Sequence, residues 1–84
     1  MIYLMLDVKS FEDTEKIRSL HAWVNVTSVE EALSALKGEL RFQGWSVCKI
    51  IEASPTSEVD YFPPCTSLDA FREAQQDLLA IRFL

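Results

Sequence analysis

The stretch HAWVNVTSVEEALSALKGELRFQGWSVCKII, from His21 to Ile51, reads as strand, helix and strand with its boundaries marked. The opening His-Ala-Trp-Val-Asn-Val is rich in β-branched and aromatic residues, and Thr27-Ser28 stops it. Ser28-Val29-Glu30-Glu31 fits a capping box, in which the Ser28 hydroxyl accepts from the Glu31 amide. Glu30 and Glu31 also face the positive end of the helix dipole. Val29, Leu33, Leu36 and Leu40, with Ala32, then recur at helical spacing. Burying such aliphatics is worth roughly 1.5–3 kcal/mol each, which outweighs the roughly 1 kcal/mol cost of Gly38 inside the helix. Gly38 is read as a point of close approach to a sheet, and Gly44 as the left-handed residue that ends the helix.

Working outward, Ile2 to Val8 alternates, with Ile2, Leu4, Leu6 and Val8 on one face and Tyr3, Met5 and Asp7 on the other. The second strand, Leu20 to Val26, sets Leu20, Ala22, Val24 and Val26 against His21, Trp23 and Asn25. Between them Lys9 to Ser19 is polar, and a surface connection is expected. The third strand, Trp45 to about Ala53, is apolar on both sides, which points to a central strand or one beside an interface, with Cys48 buried. Ser54 to Thr66 holds all three prolines and is the longest irregular segment. Thr66 or Ser67 opens a second helix, and the alternation of Leu79, Ile81 and Phe83 favours a short final strand. The fold class is therefore α/β (α+β): a single small domain over 1–84, ordered β-β-α-β-α-β. Right-handed crossovers are expected to place both helices on one face of a four-stranded mixed sheet, with the first two strands antiparallel.

Composition narrows the function. Eighty-four residues make one domain, with 49% hydrophobic residues and a formal net charge of −5. Eight Lys and Arg scattered along an acidic chain give no basic patch in the sequence, so neither nucleic acid nor an anionic membrane is an expected partner. No apolar run approaches a membrane span, and no signal-peptide pattern opens the chain, so a cytoplasmic location is expected. Cys48 and Cys65 have no metal-ligand spacing, and no phosphate loop, nucleophile elbow or other catalytic motif is present. No cofactor, no metal and no enzymatic activity are expected.

With both helices on one side, the other side of the sheet is expected to carry Tyr3, Met5, His21, Trp23 and Asn25, with one face of the third strand and Arg82; Trp, Tyr, Met and Arg are types enriched at interfaces. Either the Lys9–Ser19 connection covers this face or it docks a partner. Tyr61 and Phe62, in the segment Tyr61-Phe62-Pro63-Pro64-Cys65, complete the candidate interaction surface, unless that loop folds back as a lid. The leading expectation is a small acidic interaction module, a homodimer or bound to a protein partner, for which a small-molecule ligand is not expected. Two further readings stay open. One is an immunity- or antitoxin-like inhibitor: Val24 to Leu40, with Thr27-Ser28-Val29-Glu30-Glu31-Ala32-Leu33 at its centre, resembles the strand-to-helix segment of HicB-type antitoxins, although the rest of the chain departs from that pattern. The other is a ligand-binding or enzymatic domain built on His21 and Cys65, since a histidine beside a cysteine can activate it as thiolate.

Overall fold

A computed structural model describes residues 1–61 and 65–84. Four strands and two helices follow the expected order: β1 (Ile2–Ser10), β2 (Ile17–Val24), α1 (Val29–Phe42), β3 (Trp45–Pro55), a 3-10 turn (Glu58–Tyr61), α2 (Thr66–Asp77) and β4 (Leu79–Phe83). The strands form one sheet in the order β3-β1-β2-β4. Ser28 caps α1 as its sequence specifies, its Oγ accepting from the Glu31 amide at 3.2 Å. Gly44, at φ 91°, turns the chain from α1 into β3.

Every neighbouring pair is antiparallel, so the sheet is not mixed. β2 and β3 do run parallel, but β1 lies between them and pairs antiparallel with both. The helices also lie on opposite faces rather than together. α1 packs through Ala32, Leu36 and Leu40 on the face made by Leu4, Leu6, Val8, Leu20, Ala22 and Val24. α2 packs through Ala70, Phe71 and Ala74 on the other face, against Trp23 and Ala80. The reason is strand direction. α1 joins the parallel strands β2 and β3, so the right-handed crossover rule fixes its face. α2 joins β3 to β4, which run antiparallel, so its connection is not a crossover of that kind, and it covers the face that α1 leaves open.

β3 is an edge strand, not a central one. Its pairing with β1 shifts register between Met5 and Leu6 and again between Asp7 and Val8. The shifts leave Ile50 and Ile51 42% and 47% exposed, and Cys48 is exposed rather than buried. Such bulges, with Lys49 and Pro55 on the same strand, are the features that keep an edge from pairing with another chain. Gly38 faces open space, with nothing within 4 Å of where its Cβ would stand, so it serves no close approach to the sheet.

Candidate functional site

β1 and β2 bring four of the sequence-derived residues onto the α2 side of the sheet. Tyr3 pairs with Trp23 and Met5 with His21, so the four side chains form adjacent rows. Tyr3 and Trp23 rings lie 5.3 Å apart, and Tyr3 and His21 rings 5.6 Å apart. The Tyr3 hydroxyl is hydrogen-bonded to His21 Nδ1. Burial holds the Tyr3 phenol above its ordinary pKa of 10.0, and the negative charge of Glu52 and the proximity of Tyr61 push the same way. Tyr3 therefore keeps its proton at neutral pH.

Trp23 is not at the surface. It is 2% exposed, with Ala70, Phe71 and Ala74 of α2 packed over it. The Lys9–Ser19 segment does not provide this cover, because β1 runs to Ser10 and β2 starts at Ile17, leaving only a short turn between them. Trp23 Nε1 donates to the Tyr61 hydroxyl at 2.7 Å, and Tyr61 packs on Phe71 with ring centroids 5.6 Å apart. The Thr56 hydroxyl lies 3.0 Å from the Tyr61 hydroxyl and 2.9 Å from Asp60 Oδ2. Its single proton satisfies the carboxylate, so it accepts from Tyr61. The Ser57 amide also donates to Asp60 Oδ2, at 2.9 Å. These two bonds hold the Asp60 carboxyl below its ordinary 3.8, the backbone bond contributing most.

Between these groups a cleft of about 330 Å³ opens beside the aromatic cluster. Tyr3, His21 and Trp23 of the sheet line it together with Glu52, the hydrogen-bonded Thr56, Asp60 and Tyr61, and Ser67. It contains two carboxylates and neither Lys nor Arg. Asp60 is engaged locally, whereas Glu52 is exposed and has no hydrogen-bonding or ionic partner among the described residues. Ser67 belongs to the first turn of α2, where Asp69 offsets the positive end of the helix.

The remaining sequence candidates lie apart. Met5 is half-buried beside the cleft without lining it. Asn25 is exposed beyond the end of β2, its amide donating to the Leu78 carbonyl at 2.7 Å. Phe62 lies outside the described residues. Cys65 is the exposed N-cap of α2, with no side-chain capping bond, and His21 Nδ1 is engaged by Tyr3, so no hydrogen bond joins these two. Glu52, Thr56, Asp60 and Ser67 were not among the sequence candidates. The alternation of β3 places Glu52 opposite Val47 and Ala53, but a single strand carboxylate carries no signal of a site, and Asp60 reads as an ordinary loop carboxylate. Among the described residues no group of three or more His, Cys, Asp or Glu is placed to hold a metal ion, and no helix is long and apolar enough to cross a membrane. No protein-family model, curated protein or solved structure matches this chain.

Proposed function

We propose that this chain is a small non-enzymatic interaction module, and that it engages a protein partner by admitting a basic side chain into the cleft between Tyr3, Glu52 and Tyr61. The observation that carries this reading is the chemistry of the cleft: aromatic rings and two carboxylates, with no cation. A Lys or Arg head fits such a site in two ways. Its charge is attracted to ring faces, by about 0.5–2 kcal/mol depending on desolvation. It also gains a charge-assisted hydrogen bond from a carboxylate that has no partner among the described residues, Glu52. The volume, about 330 Å³, suits one long side chain rather than a protein surface, so the side chain acts as an anchor within a wider contact. The formal net charge of −5 steers a basic partner towards the domain.

The test is a titration with N-acetyl-arginine amide, following the ring resonances of Tyr3 and Tyr61, with the norleucine analogue as control. The arginine probe shifts both rings and the neutral probe does not. Glu52→Gln, at an exposed position, weakens the probe by about tenfold, the loss of roughly one charge-assisted contact. Equal response to both probes, or a Glu52→Gln variant that binds as well as the parent, would contradict the proposal.

A further inference from the structure

The Lys and Arg residues that look scattered in the sequence are not evenly spread in space. A second concavity, of about 210 Å³, lies on the α1 side of the molecule and is lined by Phe11, Lys37, Arg41, Trp45, Ser46 and Val47. Its lining has two cations and no carboxylate, the reverse of the Tyr3–Tyr61 cleft. Lys37 and Arg41 stand one helical turn apart on α1, so both project over the same groove. A third cation, Lys16, holds its ammonium 5.9 Å from the Trp45 ring centroid. Among the described residues the ion pairs are Arg72–Glu58 and Arg82–Glu73, and none of these three cations takes part in one. Phe11 remains 54% exposed at the groove, although its amide donates to the Gly44 carbonyl at 3.0 Å and fixes the β1–β2 turn against the end of α1.

We infer that this groove is a binding site for a phosphorylated aromatic ligand of the mononucleotide class. Phe11 supplies an exposed ring for the base beside Trp45, whose own ring is braced by Phe83 with centroids 5.4 Å apart, and Lys37 and Arg41 supply the charge for the phosphate. Neither half of the lining explains the other alone: a plain anion site needs no exposed Phe11, and a plain apolar groove needs no paired cations. A groove of this size holds one ring, with the phosphate within reach of the two α1 cations that line it. Lys16 occupies the Trp45 face in the free protein and is long enough to move to the phosphate when a base stacks there. The overall negative charge disfavours a long polyanion, so a single nucleotide is the occupant that this arrangement favours.

The experiment uses the whole chain and follows its two tryptophan indole N–H resonances while adenosine monophosphate is added. Trp45 shifts, whereas Trp23, buried on the other face of the sheet, stays fixed and reports that the fold is intact. Adenosine alone and inorganic phosphate alone each bind at least about tenfold more weakly, and Lys37→Ala and Arg41→Ala each weaken the nucleotide by about tenfold. An unmoved Trp45 resonance, inorganic phosphate binding as well as the nucleotide, or alanine variants that bind like the parent would each overturn the inference. Because the readout lies on the opposite face from Tyr3 and Tyr61, its failure leaves the Tyr3–Tyr61 reading untouched.

Discussion

The indole N–H of Trp23 donates to the hydroxyl of Tyr61 at 2.7 Å, tying the middle of the sheet to the 3-10 turn that lines the cleft. Trp23 is buried, and Tyr61 is the hydrogen-bond acceptor for its one donor. Tyr61→Phe keeps the ring against Phe71 and leaves that donor without its partner, at a cost of about 1–3 kcal/mol. Trp23→Phe removes the donor together with indole volume, which adds a packing loss. Urea unfolding of the two variants measures this: Tyr61→Phe is destabilised within that range, and Trp23→Phe by more. An unchanged midpoint for Tyr61→Phe would show that the bond contributes nothing.

Gly38 sits inside α1 with open space where a Cβ would stand. Gly38→Ala therefore meets no clash and removes backbone freedom from the unfolded chain, stabilising the fold by about 0.5–1 kcal/mol. Thermal unfolding checks it, and a fall in the midpoint would mean that the position is constrained in a way the geometry does not show.

Leu78 joins α2 to β4 at φ 78° and ψ −45°, a conformation that side chains rarely adopt. Its carbonyl accepts from the Asn25 amide, which locks the turn. Leu78→Ala loses side-chain contacts and keeps the strain, while Leu78→Gly loses the same contacts and relieves it. Glycine is thus more stable than alanine here by about 1 kcal/mol, against the usual order. Denaturant midpoints of the two variants decide it, and alanine equal to or above glycine would contradict the reading.

Much of this fold was legible in the residues. The capped leucine stripe of α1, the alternation of β1 and the final strand at Leu79–Phe83 stand where periodicity and end signals place them, whereas β2 begins at Ile17 and ends at Val24 rather than running from Leu20 to Val26. The faces were not. Which side of the sheet α2 covers depends on strand order, a long-range property, and that alone decides whether Trp23 is surface or core. Tyr3, His21, Trp23 and Tyr61 were identified as a group and do meet, but in the lining of a cleft rather than as an open face. The face of Glu52 follows from the alternation of β3, but its nearness to Tyr3 and Tyr61 depends on β3 pairing with β1, which periodicity does not show.

The Tyr3 phenol titrates above its ordinary 10.0, chiefly because it is partly desolvated and secondarily because of Glu52. A folded-state pKa raised above the unfolded value contributes stability that is fully present below pH 10.0 and is lost as pH rises through the folded value. The alkaline loss of stability is therefore smaller in Tyr3→Phe than in the parent. Glu52→Gln lowers the pH at which Tyr3 ionises, visible in tyrosinate absorbance. A Tyr3 transition that does not move in Glu52→Gln would show that the carboxylate does not act on the phenol.

The most direct measurement is a set of nuclear Overhauser contacts from the side-chain methylenes of bound N-acetyl-arginine amide to protein protons. The proposal predicts contacts to the rings of Tyr3 and Tyr61, lost in Glu52→Gln as binding weakens. Contacts to Trp45 and Phe11 instead, or no contact to either tyrosine while the fold is intact, would contradict it.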